Sequence, residues 1–298
     1  MELLFSIANA TVRVFNNTVF ADLNFSINKG QHWAIVGESG SGKSALLQTI
    51  AGNLNAAGGV VQYPFFEEYI AQHPEQKGYI THHKMIALVE PRHHFRNLSN
   101  TTEFYYQQRY NSSDSEDALT VYEYLNSVKP LIDGNRYWTF EKIVAVLNLE
   151  ELKEKQLIKL SNGEGKRLRI AAALMKNPVL LLLDSPLTGL DVETRREFNN
   201  IIGEIAASGI TIIMATSPNE LPDVITNVAL LKDGGISWQG PKHQFNTEIA
   251  ELPQAGGINK EEIKALLNKN AADTYRQIVY MKNVTIKYGK NVVLDNVN

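Results

Sequence analysis

Residues 37–44 read G-E-S-G-S-G-K-S, which fits G-x-x-x-x-G-K-[ST], between the apolar run HWAIV at 32–36 and the helix-like run ALLQTIAG. No other stretch constrains the fold as strongly, because the octet has its meaning only where a strand turns sharply into a helix. Gly40 and Gly42 let backbone N–H groups turn toward phosphate oxygens, and the following helix points its positive end at them. Lys43 is placed to reach β- and γ-phosphates. Ser44 offers a hydroxyl to Mg2+, an ion that takes oxygen ligands and keeps several waters. The expected cofactor-binding segment is therefore Gly37, Glu38, Ser39, Gly40, Ser41, Gly42, Lys43 and Ser44, with Ala45 behind it.

The rest of the chain supplies a sheet for such a loop. VLLLL at 179–183 and ITIIMA at 210–215 are, like HWAIV, short, continuously apolar and partly β-branched, which is the pattern of strands buried on both faces. Phe198, Ile201, Ile202 and Ile205 fall at helical spacing, as do Phe140, Ile143, Val144 and Leu147, and each set predicts a one-sided helix. Alternating strands and helices imply an α/β architecture with a largely parallel core sheet. The strand at 179–183 delivers Asp184 at its C-terminal edge, where open α/β sheets bind ligands. Asp184 is expected to hold Mg2+, through water.

Composition removes whole classes. The 298 residues are 44% hydrophobic, enough for a core without disulfides or metals, and intrinsic disorder is ruled out. Lys plus Arg number 29 against 32 Asp plus Glu, with a pI near 6.2, so no nucleic acid is expected as a partner bound by bulk positive charge. The absence of cysteine excludes disulfide frameworks, thiolate nucleophiles and zinc knuckles. The longest uninterrupted apolar run, Ile170 to Met175, is far short of the roughly 18 to 20 residues that span a bilayer. The opening MELLFSIANATVRVF has neither a basic n-region nor a small-residue cleavage site. A soluble cytoplasmic protein without direct membrane insertion is expected. His73, His82, His83, His93 and His94 match no metal-site spacing and are expected in a solvated loop. The polar stretch 97–118, with Tyr105 and Tyr106, is expected as a surface loop.

Beyond about residue 240 the pattern breaks at Pro253, Gly256 and Gly257, and a helix start is suggested by Asn259 with Glu262. Residues 283–298 then align without gaps to residues 9–24, with five of sixteen positions identical and like-for-like swaps such as Val12 with Ile286 and Arg13 with Lys287. The expected domains are residues 1–240, a linker at 241–277 that carries five basic and five acidic side chains, and 278–298 as the first strands of a second, truncated copy.

Leu160-Ser161-Asn162-Gly163-Glu164 resembles the L-S-G-G-Q signature peptide of ATP-binding cassette (ABC) ATPases, and the block LSNGEGKRLRIAAALMKNPVLLLLDSPLTGLD resembles that family's signature helix, Walker B strand and D-loop, with Asp191 at the D-loop position. The resemblance covers roughly residues 1–240. It implies a P-loop NTPase fold of the ABC type, with a RecA-like parallel core sheet, an antiparallel β subdomain and a helical signature subdomain. It also implies ATP and Mg2+ as cofactors. In that family two cassettes sandwich two ATP molecules, each held by the Walker motifs of one cassette and the signature of the other. The implied partner of Ser161, Asn162, Gly163 and Glu164 is thus the ATP of a second cassette, here the missing part of the same chain, and a membrane permease at the inner face of a membrane is a further partner that the family suggests.

Three departures point to a weakened site. After Asp184 the family usually has a water-orienting Glu, here Ser185, and at the switch position it has His, here Ser217. At the Q-loop, after MIALV, stand Glu90, Pro91 and Arg92 rather than Gln. Ser185, Ser217 and Glu90 are accordingly the positions on which catalysis turns. The adenine-stacking aromatic falls at Val14, with Phe15 beside it as a substitute, and the second copy has Tyr288 there. The expected function is the N-terminal half of a tandem ABC ATPase, resembling the molybdate-transport and photorepair types. It would bind MgATP but hydrolyse it poorly. The alternatives are a ribosome-binding translation factor of the same family, which would need a charged arm and basic surface not found here, and a nucleotide-gated scaffold that does not hydrolyse.

Overall fold

The computed structural model describes residues 2–15, 17–91, 118–130, 137–189, 192–246, 282–288 and 291–297. Tyr105, Tyr106, Asp191, His93, His94 and most of the 241–277 segment lie outside them. The chain divides into two units, Met1–Leu252 and Pro253–Asn298.

In the first unit, β1 (Leu3–Val14), β2 (Asn17–Asn28) and β4 (Ala56–Gln62) form an antiparallel sheet in the order β2-β1-β4. A second sheet has the order β5-β6-β7-β3-β8-β9, built from β3 (Trp33–Gly37), β5 (Ile86–Val89), β6 (Leu180–Asp184), β7 (Thr211–Ala215), β8 (Asn227–Lys232) and β9 (Gly235–Pro241). Its strands are parallel except β9. The helices are α1 (Lys43–Ile50), α2 (Pro64–Gln72), α3 (Val121–Ser127), α4 (Phe140–Val146), α5 (Asn162–Met175) and α6 (Val192–Ala207).

The apolar runs follow from burial on two faces. Along β3, Ala34 and Val36 enter one core while Trp33 and Ile35 enter the other. Leu181 and Leu183 of β6 likewise oppose Leu180 and Leu182, and on β7 Ile212 and Met214 oppose Ile213 and Ala215. Side chains alternate along a strand, so a sheet covered on both sides is apolar along its strands, with the buried polar residues Asp184 and Thr211 only at strand ends. One core holds Phe198, Ile202, Ile205, Ile143 and Leu147, the stripes of α6 and α4 with the residue after it. The other holds β1 and β2 residues with Leu46, Leu47 and Ile50 of α1. The expected parallel core, antiparallel subdomain and helical portion are all present. Among the described residues no helix is long and apolar enough to cross a membrane.

In the second unit, β10 (Val284–Tyr288) pairs with β11 (Asn291–Val297). Its pairs Val284↔Val297, Ile286↔Leu294, Lys287↔Val292 and Tyr288↔Asn291 correspond, one for one under the sequence alignment, to Ala10↔Leu23, Val12↔Phe20, Arg13↔Thr18 and Val14↔Asn17. The two hairpins share register and irregularities.

Of the histidines expected in a solvated loop, His83 is exposed as expected, whereas His73 and His82 are half-buried. His82 stacks on Tyr63 with ring centroids 3.8 Å apart, and His83 Nδ1 lies 2.8 Å from the Ala51 carbonyl oxygen, beyond the end of α1. A Cβ on Gly52 would stand 2.3 Å from the His83 ring, so a glycine there admits the pair. Spacing along the chain could not show this, because the partners are 19 or more residues away. Among the described residues no metal-holding cluster occurs. Burial, with the neighbouring His83, lowers the His82 pKa to about 4. The unfolded chain therefore takes up this proton near the ordinary pKa of 6.5 and the native chain only near 4, so stability falls as pH drops through that window. Urea midpoints at pH 7.5 and 5 should show the loss, and His82→Phe should reduce it by about 1 kcal/mol after allowance for solvent screening at this partly exposed ring.

Candidate nucleotide site

Four parallel strands end on one edge in the order β5, β6, β7, β3. Glu90 follows β5, Asp184 ends β6, Thr216 and Ser217 follow β7, and Gly37 ends β3. Neighbouring strands lie about 4.8 Å apart, so chain segments far apart in sequence become one row.

At the β3 end the octet forms a loop into α1. Gly42 is the N-cap of α1 at φ 99°, no side chain caps the helix, and its first turn holds no acidic residue. Its orphan N–H groups remain available to an anion. A Cβ on Gly37 would lie 2.5 Å from the Leu231 carbonyl oxygen, and one on Gly42 would lie 2.8 Å from the Phe20 ring. Lys43 Nζ donates to the carbonyl oxygens of Gly37 at 2.8 Å and Glu38 at 2.7 Å. Burial lowers its pKa, and the charge of Asp184 opposes that shift, so the two groups feel one another across the row. Ser41 Oγ is buried without a hydrogen-bond partner. An ammonium turned onto loop carbonyls, free helix N–H groups and an orphaned hydroxyl are donors in excess of acceptors. A polyphosphate supplies what they lack. Glu38, Ser39, Gly40 and Ser44 are exposed, and Ala45 is half-buried in the first turn.

At the β6 end Asp184 is buried. Ser185 follows at φ 50°, its N–H donating to the Ala215 carbonyl oxygen and its Oγ donating to Asp184 Oδ1 at 3.0 Å. Ser217 is exposed, and its carbonyl oxygen accepts from the Glu220 N–H. Glu90 is exposed, with its Oε1 accepting from Gln48 Nε2 of α1 at 2.6 Å. Phe15 is 96% exposed at φ 53°, a costly conformation for a large side chain. It stands just beyond β1 with its ring open to solvent.

Ser161 is the N-cap of α5. Its Oγ accepts from the Glu164 N–H at 3.3 Å, while the Glu164 carboxylate accepts from the Ser161 N–H at 2.6 Å and pairs with Lys155 at 2.8 Å. This reciprocal cap occupies Glu164 and leaves the hydroxyl proton of Ser161 for another acceptor. Asn162 and Gly163 open the helix. Among the described residues no hydrogen bond joins Ser161, Asn162 or Gly163 to the Gly37–Ser44 loop.

Sequence reasoning missed three residues. Gln48 lies one helical turn past Ser44, a spacing that could have shown its shared face. Lys166 donates to the Pro186 and Thr188 carbonyl oxygens, and Arg169 Nη1 to the Glu90 carbonyl oxygen.

The parallel sheet, the uncapped loop-to-helix turn and the buried aspartate define a P-loop nucleotide-binding protein. The family model described as ABC transporter matches residues 20–188, and the chain belongs to that family of ATP-binding proteins. It is 28% identical over 98% of its length to an uncharacterized ABC transporter ATP-binding protein of Schizosaccharomyces pombe, covering 57% of that relative. It is 24% identical, again over 98%, to the ABC transporter ATP-binding protein ModF of Escherichia coli, covering 56%. The chain thus spans little more than half the length of these two relatives. A dimeric ATP-binding cassette in a post-hydrolysis state, bound to ADP and Pi, has the same fold with a TM-score of 0.58 and 20% identity over 81% of this chain and all of that one.

Proposed function

We propose that the chain is the N-terminal cassette of a cytoplasmic tandem ABC ATPase serving transport, which binds MgATP at its own loop, hydrolyses it poorly, and lends Ser161, Asn162 and Gly163 to the ATP of a second cassette. The observation that carries the weak-hydrolysis reading is the hydroxyl of Ser185, spent on Asp184 Oδ1 where water would need a carboxylate base. The tandem reading is supported by the second hairpin, which repeats the register of the first. The share of each relative that the chain covers agrees with it.

In this reading the first-turn N–H groups of α1 and Lys43 hold the phosphates, Phe15 stacks on the adenine, and Ser44 with Asp184 would hold Mg2+. That ion supplies charge neutralisation for the β- and γ-oxygens. Ser217 offers no imidazole to the γ-phosphate. Asp191 is assigned to the D-loop on sequence alone, and a membrane permease is the further partner.

Ser185→Glu in this chain tests the reading. The new carboxylate leaves Ser217 unchanged and adds no opposing signature, so phosphate release should stay at least a hundredfold below an ATPase rate of about 1 per second. Turnover near that rate would show that one cassette completes its own site and would overturn the proposal.

A further inference from the structure

Helix α5 carries the signature serine at its N-cap, and two cations three residues apart, Lys166 and Arg169, on one face. Both reach out of the helix to the strand row. Lys166 Nζ donates to the Pro186 carbonyl oxygen at 3.1 Å and to that of Thr188, just past Asp184 and Ser185. Arg169 Nη1 donates to the Glu90 carbonyl oxygen, while its Nε donates to the Gly165 carbonyl oxygen one turn back at 3.2 Å and braces the guanidinium. Glu90 is held a second time, since its carboxylate accepts from Gln48, whose own Oε1 accepts from Asn53 at 2.6 Å. A hydrogen-bonded path therefore runs from α1, which bears Lys43 and Ser44, through the single residue Glu90 to α5, which bears Ser161.

This is an expensive way to hold a helix. Burial lowers the pKa of both cations, and for Lys166 the positive charges of Arg169 and Arg195 lower it further. The acceptors named are neutral carbonyl oxygens. Two partly buried cations that repel one another add little to stability compared with an apolar pair of the same volume. Their directional, charge-assisted bonds do fix two loop backbones against one helix. One of those loops continues from Asp184, and the other follows the neighbouring strand β5.

We propose that Arg169 and Lys166 are positioning residues, which set Ser161 by fastening α5 to the Glu90 segment after the neighbouring β5 and to the Pro186–Thr188 segment that continues from Asp184 itself. The proposal rests on the reading that Ser161 serves the ATP of a second cassette. A displacement of about 1 Å at such a group is enough to cost on the order of a hundredfold in rate.

The test has two arms. In full-length protein, Arg169→Ala and Lys166→Ala should each lower kcat by about ten- to hundredfold with KM and the MgATP-induced thermal shift unchanged, and Arg169→Lys should recover part of the loss. Because Arg169 acts through Ser161, the double variant with Ser161→Ala should be no slower than Ser161→Ala alone. Additive losses would make the role merely structural and overturn the inference. The second arm is amide hydrogen exchange at residues 161–165 in this chain, which Arg169→Ala should speed at least severalfold. Unchanged exchange overturns the inference regardless of turnover. If Ser161→Ala leaves turnover intact while Arg169→Ala still speeds exchange, the fastening of α5 stands and the reading of the signature falls.

Discussion

Lys43→Ala should abolish the rise in melting temperature that MgATP gives this chain. The loop has lost none of its donors, and a ligand that binds only the native state at a hundred times its Kd adds about 2.7 kcal/mol. For a unit of this size that is a shift on the order of 5–10 °C. The lysine has two functions that fail together. In the proposed reading its ammonium is the cation for the phosphates, and it also braces the loop through the Gly37 and Glu38 carbonyl oxygens. Ser44→Ala removes the hydroxyl proposed to hold Mg2+ and should abolish most of the shift. Gly37→Ala should do the same by a different route, because its Cβ would meet the Leu231 carbonyl oxygen at 2.5 Å and that oxygen belongs to β8, which cannot yield. Gly203→Ala, with open space where a Cβ would stand, is the control. A shift that survives Lys43→Ala would mean that the loop is not the nucleotide site.

What the sequence reveals, it reveals through local physics. HWAIV, VLLLL and ITIIMA are legible as strands because burial on two faces leaves a continuous apolar run, and the octet is legible because its glycines and lysine have one use in that context. Strand β4, AAGGVVQ, is mostly exposed and has no such mark. The row Glu90, Asp184, Ser217, Gly37 depends on the strand order, in which β7 lies between β6 and β3. Chain order does not contain that order. Gln48 shows the difference most sharply. The Q-loop position lacks glutamine in sequence, yet an amide reaches Glu90 from α1 across 42 residues. Arg169 and Lys166 look like ordinary polar positions of an amphipathic helix until the ends of β5 and β6 are placed beside them. His82 looks solvated for the same reason, since Tyr63 approaches it only in three dimensions.

In full-length protein Ser161→Ala should reduce ATP turnover far more than Lys43→Ala does. Ser161 already accepts the Glu164 N–H, so its own proton is available to an anion outside this cassette. The end of α5 adds free N–H groups at Asn162 and Gly163. If those donors face the nucleotide of a second cassette, removing one strips stabilisation from a γ-phosphate that does react, and the loss appears in kcat, about a hundredfold for a donor of this kind. In the same reading Lys43→Ala empties only the site in which Ser185 replaces the water-orienting carboxylate, where little hydrolysis is lost. Turnover and the number of ATP bound should be measured together. Ser161→Ala should keep both nucleotides and lose the rate, whereas Lys43→Ala should lose one nucleotide and keep most of the rate. The opposite result, hydrolysis abolished by Lys43→Ala and untouched by Ser161→Ala, would make this cassette the active one and would require a base other than Ser185, with Glu90 the carboxylate in the row besides Asp184.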